Sequence, residues 1–453
     1  MRVEPRVAFF PDSFAEVNGV AHTSRQLVAF AERRNLPLLC IHGGGRTERV
    51  VEGAVTKLSL RRGGIGFRLE ADFRYDLFFW RHANRVIEAA REFKANVVHV
   101  TGPNDTGQLG AYVARKLRLP LVISWHTNVH EYAARRLNKL AAPLPDAWRE
   151  RMASFAERQG LRVALRFCRL GRALLAPNAE LRELLTRETG RPTHLMRRGV
   201  DTSLFSPVKR VSGDGAFLIG YVGRLSPEKN VPLLIEMIGR LEDDFRLFVA
   251  DDGPLAGWLE NEVKVRAPGR VRLLGHIGDR AKLIGLYADC DAFVHPNPRE
   301  PFGIAPLEAM AAGLPLVAPN AGGVISYADE TNAWLAEPNG ESFAATARAV
   351  FNDPATRKDK LARARWTARE YQWRAVTDSF FHLYDELIEQ FPSSRFARRN
   401  NRPAAFPVPE EYEQPGRLES HASPGAHAGD CRRRGYRSDP GRVDSWAGSR
   451  DAS

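Results

Sequence analysis

At 453 residues, 43% of them apolar, the chain is longer than a usual single domain and can fill two cores. No apolar run approaches the ~20 residues a helix needs to cross a bilayer, so no transmembrane helix is expected. The formal charge is +12, but aromatic side chains are not interleaved with the basic ones as in a nucleic-acid module, so nucleic acid is not an expected partner.

The start, Met1 to Arg6, leads straight into Val7-Ala8-Phe9-Phe10. That run is short and has no cleavage signal, so it is expected to be a first strand rather than a signal peptide, in a cytoplasmic protein. Asn18 and Gly19 follow in a turn. Ala21–Arg33 is expected to be helical, Leu36–Ile41 a strand, Trp80–Phe93 a helix, Val97–Val100 a strand, Gln108–Leu117 a helix and Leu121–Ser124 a strand. Residues 42–75, rich in glycine and arginine, are expected to form short strands and loops. Strands alternating with helices predict an α/β fold with a mostly parallel sheet covered on both faces.

Residues 130–172 are unusually basic, with Arg149, Arg151, Arg158, Arg162, Arg166, Arg169 and Arg172 among Met152, Phe155, Leu161 and Leu165. The pattern fits either a surface resting on anionic lipid or a solvated helical face packed on its own domain. Leu174–Ala176 is expected to be the last strand of the first half, and Met196-Arg197-Arg198-Gly199-Val200-Asp201 the crossing into the second, with a boundary near 200–212. Strands are expected at 217–222, 246–250, 271–274, 291–295 and 315–318, with helices centred near 235, 258, 284 and 308, which makes a second doubly wound unit. Residues 354–390 are helical in pattern. Beyond 391, Pro, Gly, Ser, Arg and Glu dominate and disorder is expected. Cys40, Cys168, Cys290 and Cys431 are scattered, which suits packing thiols rather than zinc or a redox pair.

Two segments carry chemistry. In Arg299-Glu300-Pro301-Phe302-Gly303-Ile304-Ala305-Pro306-Leu307-Glu308, two carboxylates stand eight residues apart around a glycine turn. A carboxylate accepts two hydroxyls at once, so the pair suits a ligand with two hydroxylated parts, such as a nucleotide sugar. In the other segment, Phe217–Gly223 is a buried strand entering a glycine turn, followed by Arg224 and Lys229. Ser226 or Pro227 is placed to open the next helix, and the two cations are placed to meet a diphosphate near its start.

Together with Asn18-Gly19-Val20, His126-Thr127 and Gly199-Val200-Asp201, these segments resemble the retaining glycosyltransferases of the GT-B class, family 4, over about residues 6–390. The resemblance implies two Rossmann-like doubly wound domains facing across a cleft. Residues 1–205 form the acceptor-side domain, 206–366 the nucleotide-sugar domain, 367–390 a helix crossing back to the first domain, and 391–453 a disordered tail. It assigns Arg224 and Lys229 to the diphosphate, where charge develops on the leaving group, Glu300 to the donor sugar and Glu308 to the ribose. It places His126 beside the sugar and the reacting centre. Phe302, Gly303 and Ile304 bring backbone close to phosphate and sugar. Gly19, with Asn18, Val20, His22 and Thr127, lines the facing side. No cofactor or metal is implied.

Three departures from the family pattern stand out. Pro301 replaces a residue that has a backbone donor, Asn18 replaces a glycine, and Asp251 replaces the first glycine of a Gly-Asp-Gly-Pro loop. The donor is expected to be a mannose or glucose nucleotide. The acceptor stays open between a membrane lipid, in a peripheral protein on the inner face of a membrane, and a soluble glycan or small molecule. Alternatives are a GT-B-like sugar-phosphate synthase and a non-catalytic nucleotide-sugar sensor or membrane scaffold.

Overall fold

Short runs of wholly apolar residues build the first of two parallel sheets. The computed structural model describes residues 4–16, 19–64, 66–70, 73–126, 145–207 and 215–390. The strands are β1 (Val7–Phe10), β2 (Leu38–Gly44), β3 (Glu48–Glu52), β4 (Val55–Arg61), a separate hairpin β5 (Gly66–Glu70) and β6 (Phe73–Asp76), then β7 (Val97–Val100), β8 (Leu121–Ser124), β9 (Ala173–Ala176) and β10 (Thr193–Leu195). The sheet order is β10-β9-β8-β7-β1-β2-β4-β3, and only the β3–β4 pair in it is antiparallel. Every residue of β1, β7, β8 and β9 is buried, as expected where helices cover both faces of a parallel sheet. Ala8 and Phe10 enter one core layer and Val7 and Phe9 the other.

β9 is not the last strand of this half. β10 adds an edge beside it, with Thr193 opposite Leu174. Its Thr-His-Leu sequence is half-buried to exposed, so it lacks the apolar run that marks an interior strand.

The second sheet uses β11 (Phe217–Val222), β12 (Phe245–Ala250), β13 (Val271–Gly275), β14 (Ala292–Val294), β15 (Leu316–Pro319) and β16 (Trp334–Ala336) in the order β13-β12-β11-β14-β15-β16, all parallel. Gly220 lets β11 pack tightly, since a Cβ there would lie 2.5 Å from Cys290 Sγ and 2.9 Å from the Phe248 ring. No long helix opens at Ser226 or Pro227. A single 3-10 turn, Pro227–Lys229, precedes the helix Pro232–Ile238, because Asn230 takes a left-handed conformation (φ 53°) between them.

Both sheets reverse strand order at one place, between β1 and β7 in the first and between β11 and β14 in the second. The carboxyl ends of strands at such switch points form ligand crevices. Here they carry Asp12 and Thr101 in one half, and Arg224 and His295 in the other.

The chain crosses between the halves twice, side by side. Val200 N–H donates to Tyr371 O (2.8 Å) and Trp373 N–H to Val200 O (3.3 Å). Gly199 is needed here because a Cβ would sit 2.4 Å from the Trp373 ring. The 354–390 segment therefore breaks into two helices, Pro354–Glu370 and Trp373–Gln390. The second buries Val376, Phe380, Phe381, Tyr384 and Leu387 against the first sheet and Leu27, at about 1.5–3 kcal/mol for each large apolar side chain. Cys40, Cys168 and Cys290 are buried free thiols. Among the described residues no helix is long and apolar enough to cross a membrane.

Candidate active site

The acidic loop runs from the end of β14 to the helix Ile304–Ala311. Lys229 Nζ lies 2.5 Å from Glu300 Oε2, and Asn297 Nδ2 donates to the same oxygen at 2.9 Å. Burial alone would raise the Glu300 pKa, but Lys229, His295 and Asn297 outweigh it and hold the carboxyl down at about 2. Glu308, one helical turn further in, behaves oppositely. Burial pushes it up to about 7, although Tyr287 Oη donates to its Oε2 at 3.1 Å and Arg280 lies nearby. The two acids of one short motif therefore differ in charge state near neutral pH.

The turn between them is over-determined. Gly303 has φ 88°, a conformation open to glycine, and its carbonyl accepts from Tyr327 Oη (2.6 Å). Phe302 is buried against the rings of Tyr327 and Tyr371. Gly323 donates its N–H to Glu300 O (2.6 Å) and packs so closely that a Cβ would meet Pro301 O at 2.1 Å. Pro301 offers no donor, but its carbonyl accepts from Asn178 Nδ2 of the first half (2.9 Å). Arg224 sits in the loop after β11, which is pinned by Leu225 N–H to Asp252 O (3.0 Å). Asp251, where a glycine was expected, is held at φ 118° with its carboxylate 2.9 Å from His276 Nδ1.

Across from this loop, Gly19 begins the helix Gly19–Arg34. A Cβ on it would lie 3.3 Å from Arg198 Nη1 and 3.9 Å from Ile304 Cδ1. Arg198 is buried, donates to His126 O at 3.1 Å, and feels the charge of Glu300; burial lowers its pKa to about 10, so it remains a cation. His126 follows β8, is 6% exposed, and is kept neutral first by burial and then by Arg198. Its Nδ1 has no partner among the described residues. His126 lines a small, partly open pocket with Asp12, Thr101, Gly102, Ser124 and Phe167. Burial, then Asp105, pushes the Asp12 carboxyl up to about 8.

Two family models tile this architecture. Residues 17–204 match "Glycosyltransferase Family 4" and residues 205–370 match "Glycosyl transferases group 1". The chain belongs to glycosyltransferase family 4. It is 29% identical over 340 residues to a GDP-mannose-dependent alpha-mannosyltransferase of Mycolicibacterium smegmatis, covering 70% of this chain and 80% of that one. It is 27% identical over 404 residues to a protein of the same name from Mycobacterium tuberculosis, covering 84% and 97%. A GDP-mannose-dependent alpha-(1-6)-phosphatidylinositol dimannoside mannosyltransferase of M. tuberculosis is 30% identical over 192 residues, 40% of this chain and 49% of that one. Among solved structures, sucrose-phosphate synthase from Thermosynechococcus elongatus superposes with a TM-score of 0.66 at 19% identity, covering 86% of this chain and all of the other. The fold is therefore GT-B.

In this family 4 glycosyltransferase, Glu300, Phe302, Gly303, Ile304 and Glu308 share one loop-and-helix unit, Lys229 reaches Glu300 from the turn Pro227–Lys229, and Gly19 lies close to both Arg198 and Ile304. Val20 lies in the first turn of the helix that Gly19 opens, its carbonyl accepting from Ser24 Oγ. His22 stacks edge-on against Trp373 (5.4 Å), and burial followed by Arg280, Arg25 and Arg198 lowers its pKa to about 4. Asn18 and Thr127 lie outside the described residues. Arg198 and Asn178 were not among the candidates read from the sequence. The only local signal for Arg198 is its place directly before Gly199-Val200-Asp201; Asn178 looks like an ordinary helix cap, since its Oδ1 accepts from Leu181 N–H (2.8 Å).

Proposed function

We propose that this glycosyltransferase moves a hexose, with mannose preferred to glucose, from a nucleotide-diphosphate sugar to an acceptor hydroxyl. The transfer retains the anomeric configuration and needs no metal. The observation that carries the proposal is the Lys229–Glu300 pair beside Glu308, set at the switch point of the second sheet and faced by Arg198 and His126. Arg224 and Lys229 are assigned to the diphosphate, whose growing negative charge they stabilise as the glycosidic bond to phosphate breaks. Glu300 is assigned to the sugar hydroxyls and Glu308 to the ribose. Gly19, Val20 and His22 are assigned to the facing wall, and Asn18 and Thr127, outside the described residues, to substrate binding. No carboxylate is assigned as a covalent nucleophile; the leaving phosphate takes the acceptor proton on the face it leaves. The preference for mannose rests on the names of the relatives.

The two matched regions meet between 204 and 205, which supports a division into 1–205 and 206–366, with 367–390 returning to the first domain.

A membrane lipid is the acceptor we favour, from the cytoplasmic face. The phosphatidylinositol mannoside named for one relative supports it. So does the helix Asp146–Cys168, where Trp148, Phe155 and Val163 are exposed at spacings of seven and eight. That spacing puts them on one face, and Arg151, Arg158, Arg162 and Arg166 are exposed on the same helix. Such a surface inserts apolar side chains among anionic headgroups.

The test is mass-resolved transfer from a panel of UDP- and GDP-sugars to membrane lipids and soluble glycans. A new hexosyl-lipid from GDP-mannose supports the proposal. Product on soluble glycans alone removes the lipid acceptor, and nucleotide-sugar binding without transfer to either removes the transferase assignment as stated.

A further inference from the structure

Four buried side chains form an unbroken line of hydrogen bonds from the returning C-terminal helix to the cleft. Tyr384 Oη lies 2.6 Å from His99 Nδ1, His99 Nε2 lies 2.9 Å from Ser124 Oγ, and Ser124 Oγ lies 2.8 Å from His126 Nε2. Tyr384 and Ser124 are fully buried, and His99 and His126 nearly so. Tyr384 stands on the helix Trp373–Gln390, beyond both matched family regions.

The direction of the protons in this line can be derived. Burial lowers the pKa of both imidazoles, that of His99 to about 3, so each is neutral with one N–H and one bare nitrogen. Among the described residues the Tyr384 hydroxyl has His99 as its hydrogen-bond partner. A buried O–H left without an acceptor is costly, so Tyr384 donates to His99 Nδ1. The proton of His99 is then on Nε2 and is donated to Ser124 Oγ. Ser124 has one proton of its own. Val100 O is 3.4 Å away and His126 Nε2 is 2.8 Å away, so the proton goes to His126. His126 Nε2 is thus an acceptor, and Nδ1 carries the hydrogen. That buried Nδ1 has no partner among the described residues, and His126 lines the same small pocket as Asp12, whose Oδ1 is also without one.

We propose that Tyr384, His99 and Ser124 are positioning residues that lock His126 in its Nδ1–H tautomer, so that it meets a sugar oxygen as a hydrogen-bond donor and not as a base. The catalytic consequence rests on the place of His126 beside the sugar; the tautomer itself does not. The arrangement also makes the C-terminal helix part of the site, through an imidazole and a hydroxyl rather than through apolar packing alone.

The test is long-range proton–nitrogen correlation on the full chain labelled with nitrogen-15 in histidine, with the His126 resonances assigned from His126→Gln. The expected spectrum shows bare Nε2 and protonated Nδ1 in the native enzyme. In Tyr384→Phe and in Ser124→Ala it shifts toward the other tautomer or a mixture. In both variants kcat with GDP-mannose falls about ten-fold while KM for the donor stays within two-fold. Ser124→Ala leaves the helix packing intact and covers the case in which Tyr384→Phe loosens it. A native His126 protonated on Nε2, or a tautomer unmoved in both variants, overturns the proposal. An active His126→Ala variant counts against the role of His126 beside the sugar, and the nitrogen spectrum still decides the tautomer.

Discussion

Lys229 Nζ and Glu300 Oε2 stand 2.5 Å apart, so the cation assigned to the diphosphate and the acid assigned to the sugar neutralise each other. Removing one partner leaves the other as an uncompensated, largely buried charge. Glu300→Gln keeps the shape and one acceptor oxygen for Asn297, but replaces the other carboxylate oxygen with an NH2 donor and removes the charge that sugar hydroxyls would meet; kcat is expected to fall on the order of 100-fold. Lys229→Ala is expected to weaken nucleotide-sugar binding about 10- to 100-fold, or roughly 1.4–2.8 kcal/mol. Calorimetric titration of the two single variants and the double variant measures their coupling. Because the residues are in contact, the double variant should lose less than the sum of the single losses. Strict additivity would show that the pair does not act as a unit.

Glu308 gives the site a pH dependence in the neutral range. Its folded pKa of about 7 lies above the unfolded value of 4.5, so the folded state holds the proton more tightly. This contribution to stability is fully present below about 4.5 and is lost as pH rises through 7. Glu300, depressed to about 2, works the other way: its contribution is present above 4.5 and is lost as pH falls through 2. A ribose diol needs an ionised Glu308, so donor affinity should rise about ten-fold between pH 6 and 8, while the melting temperature of the free enzyme falls over the same range. His22 and His295, lowered to about 4, stay neutral throughout that window. Glu308→Gln should flatten the affinity curve, while Asp12, pushed up to about 8 by burial, keeps part of the melting-temperature slope. A donor affinity that stays pH-dependent in Glu308→Gln would assign the titration elsewhere.

Gly303 carries the backbone strain of the acidic turn. With φ 88° and a would-be Cβ 3.0 Å from Tyr327 Oη, Gly303→Ala must distort the turn that spaces Glu300 from Glu308. A loss of about 1–3 kcal/mol of stability is expected, with a fall in kcat/KM. Gly190→Ala is the control: φ is 65°, nothing lies within 4 Å, and the position closes the helix Ala179–Thr189. It should cost about 1 kcal/mol and leave transfer unchanged. Equal effects of the two variants on kcat/KM in thermal-melt and transfer assays would remove any special role for the acidic turn.

What the sequence displays is local, and what it hides is long-range. β11 is visible at 217–222 because an interior parallel strand must be apolar throughout. Glu300 and Glu308 are visible because their spacing alone suggests two hydroxylated partners. β10 escapes notice because an edge strand exposed on one side needs no apolar run. Arg198, Asn178 and Tyr384 escape for another reason. Their partners His126, Pro301 and His99 are 72, 123 and 285 residues away, and no periodicity connects such pairs before the sheets are assembled. The different charge states of Glu300 and Glu308 are likewise set by what folds around them: Lys229 and His295 beside Glu300, and burial of Glu308.

Asn178 separates helix capping from contact between the halves within one side chain. Its Oδ1 caps the helix Ala179–Thr189 through Leu181 N–H, and its Nδ2 donates to Pro301 O in the acidic loop. Asn178→Asp keeps the capping oxygen, adds a negative charge that suits a helix start, and loses the donor to Pro301. Its melting temperature should match or exceed the native value while kcat falls several-fold, because the loop that presents Glu300 loses its tie to the first half. Asn178→Ala loses both functions and should cost about 1 kcal/mol of stability as well. Melting curves and transfer rates for the two variants decide the matter. If Asn178→Asp transfers sugar at the native rate, the bond to Pro301 is incidental and Asn178 is a cap alone.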